Sequence, residues 1–315
     1  MIKYIFLFLP ILSWGQSFAP EPGVLGSTAI HKDSSVFIAW ANNAVVTRGP
    51  MNLPVPSVGN TTYGIDSDAT GEADGTGVVS LGDGGSVVLT FPAPINNGVG
   101  PDFAVFENGF TDHYIELAFV EVSSDGVNFF RFESTSEIQT QVQLTNFDTL
   151  NCRYVNNFAG KYRARYGTPF DIEELALTPG LDVNAITHVK IIDVVGTLDP
   201  TYARYDGQGT IINDPYPTSF DSGGFDLDAV GVIHAAEIGL IEQGLSVSIY
   251  PNPTTGILFI EGNQEYSIQV FNSEGRLLID TTIDQKIDLS EFEPGIYYVA
   301  IHSKESKFVK RIVKM

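Results

Sequence analysis

The chain has a single cysteine, Cys152, in 315 residues, so no intrachain disulfide can form. A secreted domain without disulfides must hold its loops by other means, and a bound metal is one of them. Lys and Arg number 17 against 38 Asp and Glu, a formal net charge of -21. Phosphate binding needs clustered Lys and Arg, so nucleic acid and anionic membranes are excluded as partners, while metal cations and neutral ligands stay open. No apolar run approaches the about 20 residues that a membrane span needs. The local signatures of common hydrolases, G-x-S-x-G, H-E-x-x-H and a Cys-His pairing, are also missing. A glycosidase needs only two acids several ångströms apart and no local motif, so that class survives.

What is present favours strands. Low charge content with 31 Gly and 17 Pro fits many strands joined by turns. Lys3, the apolar run Tyr4 to Leu12, and small Ser13 and Gly15 around Trp14 predict a signal peptide over residues 1–15 and a mature start at Gln16. Composition then divides the chain into a large domain over 16–235, a linker over 236–245 and a small module over 246–315. Charge separates them as well. The module carries seven basic and nine acidic residues, whereas the chain between Gln16 and the module carries nine and 29.

The large domain is organised around Asp221 to Ile233. Strand alternation over Phe225, Leu227 and Ala229 sets Asp226 and Asp228 side by side on the other face. Two such acids need either a well-solvated face or a cation between them. The preceding Ser222-Gly223-Gly224 lets the backbone bend towards a cation. Glu107, in the Glu-Asn-Gly turn after the run Asp102 to Phe106, and Asp102 itself are further acids for such a site. Asp226, Asp228, Glu107 and Asp102 are therefore the expected calcium ligands, with backbone carbonyls or water completing the shell. Asp66 to Gly75 alternates acids around Gly71 but puts Gly77, not Glu, at the twelfth position, so it is no EF-hand.

Elsewhere, Gly82 to Gly85 reads as a hairpin turn, and Tyr114 to Val122 followed by Ser123 to Gly126 and Val127 to Phe132 as the clearest hairpin. Thr168, Pro169, Asp171, Glu173 and Glu174 predict one short helix. Lys161, Arg163 and Arg165 alternate on an expected strand, as partners of nearby carboxylates or as an anion site. A long loop between Gly196 and Gly224 holds Tyr202, Tyr205, Tyr216 and Phe220, the expected ligand-binding aromatics.

The segment Val120-Glu-Val-Ser-Ser-Asp-Gly-Val-Asn-Phe-Phe130 resembles the central hairpin of galactose-binding-like, discoidin-like jelly rolls. With Asp102 to Phe110, Ala159 to Asp171 and Gly223 to Ile233, residues 24–234 are similar to an uncharacterised family of bacterial cell surface proteins. From Ser246, Pro251-Asn-Pro-Thr-Thr-Gly256, the turn Phe271 to Gly275, Leu289 with Gly295 and Tyr297, and a basic tail resemble the type A sorting domain of the type IX secretion system of Bacteroidetes. These resemblances imply an all-β chain, a large jelly-roll-like β-sandwich followed by a small Ig-like β-sandwich. They also imply passage through the outer membrane by the type IX secretion machinery, with removal of the module on attachment to the cell surface. The expected function is a non-catalytic, calcium-stabilised binding module. The alternatives are a glycan hydrolase using paired carboxylates and a capture protein for a small nutrient such as a corrinoid.

Overall fold

Short β-rich runs bounded by Gly or Pro become strands throughout the computed structural model, which describes residues 18–236, 248–261, 267–273, 275–282, 286–302 and 307–315. The predicted signal peptide and residues 237–245 of the predicted linker lie outside the described residues. The chain divides into two units, Met1–Ala236 and Glu237–Met315.

In the first unit the strands are β1 (Ile30–His31), β2 (Ala39–Trp40), β3 (Asn43–Thr47), β4 (Val79–Ser80), β5 (Ser86–Ile95), β6 (Phe103–Glu107) and β7 (Ala118–Ser123). They continue as β8 (Phe130–Arg131), β9 (Thr135–Ser136), β10 (Val155–Asn156), β11 (Tyr166–Phe170), β12 (Ile186–Asp193) and β13 (Asp226–Val232). One antiparallel sheet runs β1-β11-β6-β13-β2 with β4 also on β13; the other runs β3-β5-β12-β7-β8. Neighbours in space are mostly distant in sequence. Alternation supplies each sheet with an inward apolar face: Val87 and Leu89 of β5, Val120 and Val122 of β7 and Val189 and Ile191 of β12 meet Phe103, Val105, Phe170, Leu227 and Val230 in one core. The unit is thus an all-β sandwich, as expected. Cys152 is a buried, free thiol in a second apolar cluster.

Three local expectations change. Gly82 to Gly85 is a turn, but it joins two sheets, because β4 pairs with β13 and β5 with β3 and β12. A side chain at Gly82 would meet the Gly49 carbonyl oxygen at 2.5 Å. The predicted helix shrinks to one 3-10 turn, Ile172–Leu175, capped by Asp171, whose carboxylate accepts the Glu173 amide at 3.0 Å. Thr168 and Pro169 stay in β11 because Phe170 packs inward, stacked on Phe103 at 5.4 Å. Proline is tolerated there since β1 pairs only with Tyr166 and Gly167. The basic trio also fails to share a face, because β11 starts only at Tyr166. Lys161 is buried and donates to the carbonyls of Cys152 and Val155 at 2.7 and 2.5 Å, while Arg163 bonds Asp112 at 2.7 Å.

The end of the first unit is clasped to the β5–β6 connection. The amides of Ile233 and His234 donate to the Asp102 carbonyl at 2.8 and 3.1 Å, and the Ala236 amide to Pro94 at 2.8 Å. His234 Nδ1 lies 2.8 Å from Asp102 Oδ1.

The second unit is a small sandwich of β14 (Ser248–Tyr250), β15 (Ile257–Glu261), β16 (Ser267–Asn272), β17 (Leu277–Thr282), β18 (Lys286–Asp288), β19 (Gly295–His302) and β20 (Lys307–Lys314). Sheets β14-β15-β18 and β17-β16-β19-β20 close on Leu258, Ile268, Val270, Leu289, Val299 and Ile312. Thr254 of the Pro-Asn-Pro-Thr turn is buried, accepts the Gly256 amide at 3.0 Å and, through its backbone, pairs with Val313 and Met315.

Candidate functional site

Glu107 ends β6 and Asp226 begins β13, and the antiparallel register pairs Glu107 with Leu227, so the two acids meet at one end of the sheet. There they line a cleft of about 180 Å³ together with Glu116, Asn108 to Phe110, Tyr114, Asn146, Thr218, Phe220, Ser222 and Gly223. No Lys, Arg or His is among the lining residues. Arg48, whose guanidinium donates to the Ser80 carbonyl, partly offsets the charge of Asp226.

Each acid is set differently. Glu107 is 2% exposed, and its Oε2 accepts the Gly109 amide at 2.7 Å. A side chain at Gly109 would sit 2.8 Å from that oxygen and displace the carboxylate. Asp226 is 9% exposed and accepts the Ser80 hydroxyl in a short hydrogen bond. Glu116 makes no hydrogen bond or ion pair among the described residues. Burial, and next the charge of Asp226, push both Glu107 and Glu116 well above the usual carboxylate range. Burial likewise pushes Asp226 up to about 6, against the hydrogen bonds of Ser80 and Asn108. Three carboxylates this close cannot all be ionised without a cation or protons among them.

The rim is aromatic. Phe110 stacks on Tyr114 with ring centroids 5.5 Å apart, and the Tyr114 hydroxyl donates to the Asn146 carbonyl at 2.8 Å, tying two loops together. Phe220 sits in a turn closed by the Gly223 amide on its own carbonyl at 3.0 Å.

Of the four acids expected to converge, only Glu107 and Asp226 do. Asp228 is the extra residue of a bulge, because β13 passes from Leu227 to Ala229 while β6 passes only from Glu107 to Phe106. Its carboxylate accepts the amides of Asp74 and Gly75 at 3.1 and 2.9 Å, and burial pushes it up to about 6. Asp102 lies at the opposite end of β6. Its carboxylate accepts the amides of Gly98 and Ile172 at 2.7 Å each and faces His234. Asp74, from the acidic Asp66 to Gly75 loop, closes its own turn on the amides of Thr76 and Gly77. Among the described residues no group of three His, Cys, Asp or Glu side chains is arranged to hold a metal ion.

The aromatics of the long loop disperse too. Phe220 joins the cleft. Tyr205 lines a separate open groove with Phe119, Arg131, Glu133 and Asp206; Tyr216 is buried; Tyr202 is half-buried. Glu116, Phe110 and Tyr114 escaped the sequence reading. Glu116 belongs to a run whose alternation predicts one strand, whereas β7 begins only at Ala118. The available signal was a lone acid between Ile115 and Leu117, which are both buried.

Residues 248–315 match the family described as the secretion system C-terminal sorting domain. That module marks the chain as exported by the type IX secretion system and attached at the cell surface. Among the described residues no helix is long and apolar enough to cross a membrane. No curated protein matches the chain. Solved structures similar to it include a β-glucuronidase from Ruminococcus gnavus in complex with C6-substituted uronic isofagomine, at 9% identity over 95% of this chain and 47% of that one, with a TM-score of 0.21. Another is the BSP domain of a biofilm associated protein, at 10% identity over 73% of this chain and 48% of that one, with a TM-score of 0.19. The chain spans less than half the length of either. At such scores neither likeness bears on the site.

Proposed function

We propose that the chain is a non-catalytic binding protein displayed at the cell surface, and that the cleft of Glu107, Glu116 and Asp226 takes a positively charged ligand. The observation that carries this reading is three carboxylates in one cleft wall with no basic side chain lining it. A cation relieves their mutual repulsion, and a folded-state ligand then stabilises the unit by mass action. Calcium is one such cation. Glu107 and Asp226 are the two of its four expected ligands that share the cleft, with the Asn108 side chain and backbone carbonyls as further oxygen donors.

The test is a thermal melt of the purified chain with calcium or small amines added. A saturable rise in melting temperature that Asp226→Asn abolishes supports the reading, and no response to any cation sinks it. Deleting residues 248–315 should remove the protein from the cell surface; surface display of the truncated chain would overturn the export half of the reading.

A glycan hydrolase with paired carboxylates is the second reading. It is favoured by Glu107 and Asp226 lining one cleft as two carboxylates that burial holds above their ordinary range. Turnover of a glycan abolished by Glu107→Gln or Asp226→Asn would establish it in place of the first.

A further inference from the structure

An asparagine followed by glycine is open to attack by its own backbone, because glycine has no side chain to shield the peptide nitrogen. The chain holds two such pairs, Asn97-Gly98 and Asn108-Gly109, and they bracket β6 at its two ends. Each glycine amide donates to a carboxyl group, Gly98 to Asp102 Oδ1 and Gly109 to Glu107 Oε2, both at 2.7 Å. What surrounds the two pairs differs.

Around Asn108 little can move. Gly109 is buried, its carbonyl accepts the Ala164 amide at 2.9 Å, and the Asn108 side chain bonds Asp226. Burial also holds Glu107 well above the usual carboxylate range, so it is a poor acceptor for a further proton. Asn97 stands in an open loop instead. Asn97 and Gly98 are half-buried, Val99 is 98% exposed, and a side chain at Gly100 would meet nothing within 4 Å. Asp102 is buried beside the His234 imidazole, so the oxygen that holds the Gly98 amide also touches a second proton carrier, at 2.8 Å. The Asn97 side chain is held through Nδ2, which donates to exposed Glu173 at 2.5 Å, while its Oδ1 is buried without a partner.

We infer that Asn97 is a site of self-modification, in which the Gly98 nitrogen closes on the Asn97 side chain with Asp102 as proton acceptor and hydrolysis leaves aspartate or isoaspartate. The Gly98 N–H gives its proton to Asp102, the nitrogen bonds Asn97 Cγ, the Cγ–Nδ2 bond breaks, and Nδ2 departs as ammonia with that proton. Water then opens the succinimide at either carbonyl. No other reactant is consumed.

The product bears on the end of the first unit. Isoaspartate inserts a methylene between the Asn97 amide, which donates to the Val183 carbonyl at 3.0 Å, and the Gly98 amide on Asp102. Aspartate, like isoaspartate, sets a carboxylate where the Asn97 amide donated to Glu173. Asp102 accepts the Ile233 and His234 amides on its carbonyl, so either product loosens the clasp.

The test is to incubate the purified full chain in heavy-oxygen water at mildly alkaline pH and to read label at each asparagine by digestion and mass spectrometry. Asn97 should convert about tenfold faster than Asn108, whose hydrogen bonds must first open. Asp102→Asn should slow Asn97 about tenfold, because an amide cannot take the proton. Were Asp102 only structural, the loosened loop would react as fast or faster, and that result overturns the inference. An Asn97 that stays unlabelled, or labels no faster than Asn108, also overturns it. Should the variant fail to fold, the wild-type chain in urea decides: without Asp102 in place the preference for Asn97 should vanish, and a preference that persists sinks the inference. Asn97→Asp builds one product directly and should lower the melting temperature by about 2 °C; an unchanged curve overturns the link to the clasp.

Discussion

Asp102, Asp193, Asp206 and Asp228 each accept a backbone amide from a segment distant in sequence, whereas in the cleft Glu107 accepts only the Asn108 and Gly109 amides of its own turn, Asp226 the Ser80 hydroxyl and the Asn108 side chain, and Glu116 none. The first group lies where loops meet strands. Asp193 joins Gly84 to Phe225, Asp206 joins Ser136 to Thr210, and Asp228 holds the 73–77 loop. In a chain that cannot form a disulfide, such carboxylates fasten the loops, and hydrogen bonds offset the cost of burying them. The cleft acids fasten little. Local hydrogen bonds offset only part of the cost of their burial, which is the property expected of groups kept for a ligand.

The sharpest way to break this comparison is Asp193→Ala, which strands the part-buried amide of Gly84 and the buried amide of Phe225. It should destabilise the first unit by about 3 kcal/mol, read in a urea melt. A loss no larger than that of a surface substitution would dissolve the distinction. The next effect is of pH. Burial raises Asp83, Asp226 and Asp228 to about 6 and Asp193 to about 7, so the folded unit binds these protons more tightly than the unfolded chain does. Their contribution is fully present below the unfolded value near 4 and is lost as pH rises through 6 to 7. The melting temperature without ligand should therefore be several degrees higher at pH 5 than at pH 8. Below about pH 4 the sign reverses, because exposed Asp74 and Asp125, held low by backbone amides, lose their contribution on protonation.

Asp228→Asn keeps one acceptor oxygen and should cost only about 1 kcal/mol. The smallest effect sharpens the contrast by its direction: Glu116→Gln removes a charge that nothing pairs with, and should raise the melting temperature of the ligand-free chain by a degree or two. A fall of several degrees would place Glu116 among the fastening acids.

Much of the architecture was legible because strand alternation, turn glycines and the sorting motifs are local. The Ser123 to Asn128 hairpin turn forms on the carboxylate of Asp125 as its residues suggest, and Leu289 and Tyr297 enter the core of the small sandwich. The site was only half legible. Alternation puts Asp226 and Asp228 on one face, but the bulge at Asp228 turns Val230 inward and gives Asp228 to a loop 154 residues away in sequence. A bulge has no signature in a run such as Phe-Asp-Leu-Asp-Ala. Asp102 was drawn towards Glu107 by their closeness in sequence, yet a five-residue strand separates them by its whole length. The basic trio does not share a face because the chain turns at Arg165, whose φ is +70°.

The clasp at the end of the first unit has a mechanical meaning. A surface protein held through its C-terminal segment receives any drag from flow at Ala236, and passes it through His234 into β13. That strand lies inside its sheet, with β6 on one side and β2 and β4 on the other. Tension along it loads two hydrogen-bonded ladders in shear at once, so the bonds share the force and cannot open one at a time. The His234 and Ala236 contacts stand first in that load path, ahead of the ladders, as a shallow element that yields before the sandwich does.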